Sequence, residues 1–431
     1  MSAGTRTIAV DYLARVEGEG ALRLVVRDGR VTTAELSIFE APRFFEALLV
    51  GRDAREAVDI TARICGICPV AYQLSGLDAI EDAWDVAVSP EIAALRRLFL
   101  CGEWIGSHAL HVTMLHAPDF LGYPDAMAMA RDHPEAVRRG LALKQYGNRL
   151  MAAIGGREIH PVNVRVGGFW RAPDRETIAA LREEADRAVA AAAEAVAWTA
   201  GFAFPDFDRD HPFVALATAD GYPLAPGPIG STLGHRLPAA AFEDTFEEVH
   251  EARSTALHAR IRGHGAYMTG PQARFTLNGD RLAPDARAAA DAAGLAERPR
   301  NPFRSILVRS VEILHAAEEA RALVADYVPP DPPAVPVTPR AATGHGVIEA
   351  PRGLLYQRYR TAADGSVEAA RIVPPTAQNQ GAMESDLAAI AERFLDLPDD
   401  ALRGRCEHAI RNYDPCISCA THFLRLEVDR A

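Results

Sequence analysis

No apolar run in the 431 residues reaches the roughly 18 that a membrane-spanning helix requires, so nothing in the sequence predicts a span. The first residues, Met1-Ser2-Ala3-Gly4-Thr5-Arg6, lack the charged and apolar architecture of a secretion signal. Basic charge is in deficit: 46 Lys and Arg against 58 Asp and Glu leave a net charge of -12, which argues against nucleic acid or an anionic membrane as the main partner. Six cysteines are too few for a disulfide framework in a chain this long, and their grouping suits a reducing compartment. No internal repeat is visible. What remains is 48% hydrophobic composition, enough to bury a large core.

Four of the six cysteines come in pairs. Cys65 and Cys68 flank Gly66 in Arg63-Ile64-Cys65-Gly66-Ile67-Cys68-Pro69, where glycine lets the backbone turn tightly enough to aim both sulfurs at one point. Cys416 and Cys419 repeat the spacing near the other end, in Asp414-Pro415-Cys416-Ile417-Ser418-Cys419-Ala420-Thr421-His422. Converging, the pairs supply four thiolates. The cysteines alone leave a structural zinc site, an iron-sulfur cluster and a redox pair open. The flanks point away from zinc, which asks only for ligands and a turn: Arg63 and Asp414 each stand two residues before a pair, and a histidine closes the second motif.

These motifs together resemble the large, catalytic subunit of the nickel-iron hydrogenases. Further matches follow in family order: Arg15-Val16-Glu17-Gly18, Arg43-Phe44-Phe45-Glu46, Gly51-Arg52-Asp53, Ser107-His108-Ala109-Leu110-His111, His160-Pro161-Val162, Gly167-Gly168-Phe169, Glu349-Ala350-Pro351-Arg352-Gly353 and Pro374-Pro375-Thr376-Ala377-Gln378-Asn379. The resemblance implies that Cys65 and Cys416 bind nickel terminally and that Cys68 and Cys419 bridge nickel to an iron carrying carbon monoxide and cyanide. It makes Glu17 the first proton acceptor, receiving from Cys416. It makes Arg352 and Asp414 the cage around heterolytic cleavage of dihydrogen, with Arg352 and Thr376 approaching the diatomic ligands on iron. Glu46 and His422 become ligands of a magnesium ion that joins the two chain ends. Alternatives within the same resemblance are a dihydrogen-sensing subunit and, outside it, a four-cysteine zinc scaffold.

The expected fold is α+β and predominantly helical, in one intertwined unit. Residues 1–62 read as β-rich, because Ala21–Val26 and Val31–Ile38 alternate around Asp28-Gly29, a type I′ hairpin signal. Residues 63–327 read as a helical core, with helices predicted over 90–115, 135–154, 174–202, 242–262 and 305–327 and irregular loops over 158–170 and 227–236. Residues 328–340 form a proline-rich crossing, 341–422 return to the metal motif, and 423–431 form a tail. His108 and His111 share a helical face, and the resemblance favours a structural role for them over ligation.

With four cysteines committed, Cys101 and Cys406 are too few to hold a cluster, so electrons must leave through another polypeptide, an iron-sulfur small subunit. Tyr72, Ser107 and Gln357 depart from the commonest family pattern. The first two resemble the cytoplasmic, NAD(P)-linked or sulfhydrogenase branch, implying diaphorase partners with FAD. The tail after His422 resembles the peptide removed by a maturation endopeptidase once nickel-insertion proteins have acted.

Overall fold

The computed structural model describes residues 5–421 except 220 and 225. The N-terminal hairpin forms as expected: Gly20–Arg27 pairs antiparallel with Arg30–Ile38 across Asp28 and Gly29, whose φ values of 50° and 74° are those of a type I′ turn. Arg6–Val10 adds a third strand beside Gly20–Arg27.

Behind this sheet lies the helical core. Helices Pro90–Leu110, Pro134–Gly155, Arg182–Ala200 and Ser305–Ala325 pack on one another, the last of them buried on almost every face. The predicted 90–115 helix widens at its end into a π turn, His111–His116. The 174–202 pattern splits into Arg175–Ala179, capped by the Asp174 carboxylate, and Arg182–Ala200.

Helix Pro69–Trp84, which begins immediately after Cys68, is held on its other side by the hairpin Ala342–Ala350 and Gly353–Thr361. Strand and helix touch backbone to backbone. A Cβ at Gly344 would stand 2.0 Å from Ala79 O, and one at Gly346 2.1 Å from Ser75 O. That approach fixes the tip of the hairpin, Pro351-Arg352, beside the first cysteine pair. A third strand, Val367–Val373, completes this sheet and leads into helix Pro375–Arg393.

One expected helix is absent. Residues 242–262 hold a single helical turn, Phe242–Thr245, followed by antiparallel strands Phe246–His250 and Leu257–Ile261. The apolar spacing fits either period over so short a run. Tertiary contacts decide it: Thr255 donates its amide to Ile38 O, and the second strand packs on helix Pro375–Arg393. The proline-rich crossing is extended and tied down, with Phe169 N donating to Pro333 O and Val335 N to Gly167 O, both at 2.9 Å.

Candidate metal centre

Cys65 lies in a tight turn whose following amides, of Ile67 and Cys68, point at its sulfur at 3.2 and 3.4 Å. Cys68 precedes Pro69, the first residue of its helix, where proline has no amide to leave unpaired. Two further amides of that first turn, on Val70 and Ala71, donate to the buried Glu103 carboxylate at 2.6 and 3.1 Å. The second pair is set by Asp414, in the left-handed region at φ 51°, and by Cys416 N donating to Thr376 Oγ1 at 3.0 Å. Ile417 N donates to Glu17 O at 2.9 Å, in a single parallel bridge between the chain's ends.

The two pairs converge. Cys65 Sγ is 3.3 Å from Cys416 Sγ and Cys68 Sγ is 3.5 Å from Cys419 Sγ, with all four sulfurs buried and within 4.8 Å of one another. Disulfide sulfurs lie about 2.05 Å apart. Metal–sulfur bonds of about 2.3 Å separate the sulfurs of one metal by about 3.3–3.8 Å, which is the spacing found. Hydrogen bonding from Cys416 holds the Cys65 thiol well below its ordinary pKa, while burial pushes Cys416 well up. A cluster that sheds one proton and resists losing the next is one whose negative charge needs cations to balance it. Soft sulfur donors in a dry pocket fit low-valent nickel and iron.

Around the sulfurs, Glu17 Oε2 accepts from Cys416 Sγ at 3.1 Å and from Ser418 N at 3.0 Å, and Ser418 Oγ donates to Oε1. Burial, then the negative charge on Cys65, raises the Glu17 pKa. Arg352 is buried, donating through Nε to Asp414 O at 2.8 Å, through Nη2 to Asp414 Oδ1 at 3.0 Å and through Nη1 to Ser107 Oγ at 3.4 Å. Tyr72 donates to Cys419 O at 3.4 Å, and Gln357 in turn donates to Tyr72 O at 2.9 Å, so these two departures from the common pattern form one linked pair.

Other sequence candidates fall elsewhere. His108 sits 3.0 Å from Glu312 and His111 bonds Arg411 O at 2.8 Å, a structural setting for both. Arg63 is exposed and donates to His160 O. Glu46 accepts from Ile372 N at 2.8 Å, and His422 lies outside the described residues. Sequence reasoning missed Glu103, Ser418 and the role of Arg43, whose amide donates to Thr421 O and whose guanidinium donates to Ile64 O and Ser418 O, clamping both motifs. Their partners are mostly backbone groups, which leave no spacing signal.

A profile of the nickel-dependent hydrogenases matches residues 43–142 and 319–422, the two segments that carry the cysteine pairs. Over 97% of its length the chain is 34% identical to all of the Pyrococcus furiosus sulfhydrogenase 2 subunit alpha. The chain belongs to the nickel-dependent hydrogenases. It is the catalytic large subunit of a nickel-iron hydrogenase, an oxidoreductase acting on dihydrogen, and its four-cysteine site accounts for nickel and iron. It is also 27% identical to the beta subunit of the NAD-reducing hydrogenase HoxS of Cupriavidus necator, over 97% of this chain and 95% of that one. The crystal structure of an NAD+-reducing [NiFe]-hydrogenase in the H2-reduced state superimposes with a TM-score of 0.88 at 29% identity, covering 98% of this chain and 100% of that chain. These hydrogenase relatives are subunits of larger enzymes, which implies a small-subunit partner. Among the described residues no helix is long and apolar enough to cross a membrane.

Proposed function

We propose that this subunit takes the proton of dihydrogen cleavage from Cys416 to Glu17 and sends the electrons through an iron-sulfur small subunit to NAD(P)+. The observation that carries the first half is the 3.1 Å contact between Cys416 Sγ and the half-buried Glu17 carboxylate. When bound, the nickel-iron pair supplies the low-valent site at which dihydrogen is polarised. Cys65, Cys68, Cys416 and Cys419 would hold the pair, Cys65 and Cys416 on nickel alone and Cys68 and Cys419 on both metals. Glu17, raised toward neutrality by burial, accepts a proton from the Cys416 sulfur and releases it again. Arg352, its plane fixed by two bonds to Asp414, holds positive charge beside the four sulfurs and would donate toward carbon monoxide and cyanide on iron. Thr376 sets the Cys416 backbone. Glu46 and His422 would hold magnesium in this reading.

Infrared spectroscopy of the purified complex tests the iron ligands: carbon monoxide and cyanide stretches are expected, and their absence from active, metal-replete enzyme sinks the assignment.

The small subunit docks where the thiolates come nearest the surface. Gly66 is exposed, and a Cβ there would lie 3.9 Å from Ile159; Ile159, Val162 and Trp170, on the loop that follows helix Pro134–Gly155, are 53%, 42% and 61% exposed. Trp170→Asp is expected to abolish co-purification of a small subunit; unchanged recovery argues against this face.

The NAD(P)-linked branch is supported by the NAD-reducing relative and by Tyr72 and Ser107; a cytoplasmic location and flavin-containing diaphorase partners belong to the same reading. Dihydrogen-dependent reduction of NAD+ or NADP+ by the whole complex tests it. We read residues 1–431 as a single intertwined unit whose last part, 423–431, is a tail cleaved by an endopeptidase after nickel insertion; nickel-loaded enzyme whose intact mass retains Ala431 rules the cleavage out.

A further inference from the structure

The π turn His111–His116 sets residues five apart on one face, so the rings of His111 and His116 stand with centroids 5.0 Å apart. His408, on helix Asp399–Arg411, lies 5.1 Å from His116. All three residues are 4% exposed or less. His111 Nδ1, both ring nitrogens of His116 and His408 Nε2 have no hydrogen-bond partner among the described residues. The same holds for Asp414 Oδ2, for both side-chain polar atoms of Asn412, and for Nε and Nη1 of Arg309. Buried polar atoms are rarely left in this condition. Here they adjoin one another: His111 Nε2 is 4.0 Å from Asp414 Oδ1, Arg309 Nη1 is 4.0 Å from Asp414 Oδ2, and Arg309 Nη2 donates to Asn412 O at 3.4 Å. At the other end, His116, His408 and the partly buried Asp119 bring ring nitrogens and carboxylate within 4.8 Å of one another.

A metal ion does not suit that outer cluster. Both Asp119 oxygens already accept from Arg15 and from Arg411, filling the four acceptor positions of a carboxylate. Cations also face the rings: Arg309 and Arg352 toward His111, Arg411 toward His116, and Arg411, Arg405 and Arg15 toward His408, against the carboxylates of Asp119 and, at His111, Asp414. Burial, with these charges, keeps the imidazoles neutral, His408 being pushed down to about 3. Neutral rings with open nitrogens and centroids 5.0 and 5.1 Å apart are suited to passing a proton rather than storing one.

We propose that His111, His116 and His408 relay protons between the Asp414–Arg352 cage and the protein surface at Asp119 and Arg15. Each ring accepts a proton on one nitrogen and releases another from the second, and turning of the ring restores the starting tautomer; at His111 this requires Nε2 to give up and then remake its 2.8 Å bond to Arg411 O, and the proton leaves to solvent beside Asp119. The proposal rests on the hydrogenase reading and adds a route distinct from Glu17.

The test uses the intact complex. His116→Ala is expected to slow dihydrogen oxidation at least about tenfold, to enlarge the solvent isotope effect and to slow exchange of dihydrogen with D2O, leaving the infrared bands of the metal pair in place. Added imidazole restores exchange, and thiophene, of similar shape without an ionisable nitrogen, does not. Equal rescue by thiophene, or wild-type exchange and isotope effect in both His116→Ala and His408→Ala, overturns the relay. If His116→Ala does not assemble, His116→Gln carries the test: the same loss at an unchanged thermal midpoint is expected, and wild-type exchange overturns the proposal. Failure of the hydrogenase reading is distinguishable, because it removes bands and activity from the unmodified enzyme.

Discussion

Glu17 and Cys416 are 399 residues apart in sequence and 3.1 Å apart in space, and the contact is one sulfur-to-carboxylate bond. Glu17→Gln keeps the shape and loses the base. It is expected to lower turnover about 100-fold or more while leaving nickel content and infrared bands unchanged; wild-type turnover would remove Glu17 from the proton path. A second carboxyl offers a cleaner titration. Burial raises Asp78 to about 7. Its folded pKa exceeds its unfolded one, so its contribution is fully present below about pH 4 and is lost as pH rises through 7. Asp78→Asn should therefore match the parent in thermal midpoint near pH 4 and exceed it at pH 8, by about 1–3 kcal/mol of stability. The cysteines, Glu17 and Arg352 were legible because a side chain's chemistry was tied to a motif. Arg43 and Glu103 were not, because they act on backbone groups whose positions exist only in the fold.

At the scale of elements, the hairpin carrying Arg352 depends on two glycines lying against a helix. Gly346→Ala would press a methyl group into Ser75 O, backbone with no room to move. The expected cost is about 3 kcal/mol or more, together with loss of nickel from purified protein, because Arg352 shifts with the strand. A normal melting temperature and full metal content would show that strand and helix tolerate separation. The long helices and the first hairpin were readable from period and turn chemistry. The strands at 246–261 were not, since a short apolar run fits either period and is decided by the helix it meets. The π turn was also invisible, because one extra residue in a turn leaves the hydrophobic spacing almost intact.

Across the whole molecule, Asp119 joins three distant parts of the chain: Arg15 near the start, its own segment, and Arg411 just before the second cysteine pair. Burial opposes ionisation there, yet Arg411 and Arg15 hold the Asp119 pKa below the usual carboxylate range. Its contribution is thus present above about pH 4 and lost as pH falls toward the folded value. Asp119→Asn leaves the buried Arg411 with only Glu407, 3.4 Å from its Nη1, as counter-ion and is expected to cost about 3 kcal/mol. Thermal inactivation near pH 7 should expose that cost, and the gap to the parent should narrow in acid. The convergence of the two cysteine pairs also dictates timing during synthesis. At about 5–20 residues per second, a ribosome that has made Cys65 and Cys68 needs about 20–70 s more to reach Cys416 and Cys419, 351 positions downstream. Every nascent chain therefore passes through a period in which half the sulfurs exist alone, and any translation product ending early carries no complete centre. Loading is confined to finished polypeptides, so a ribosome stalled before codon 416 should yield chains that acquire no nickel however much is supplied.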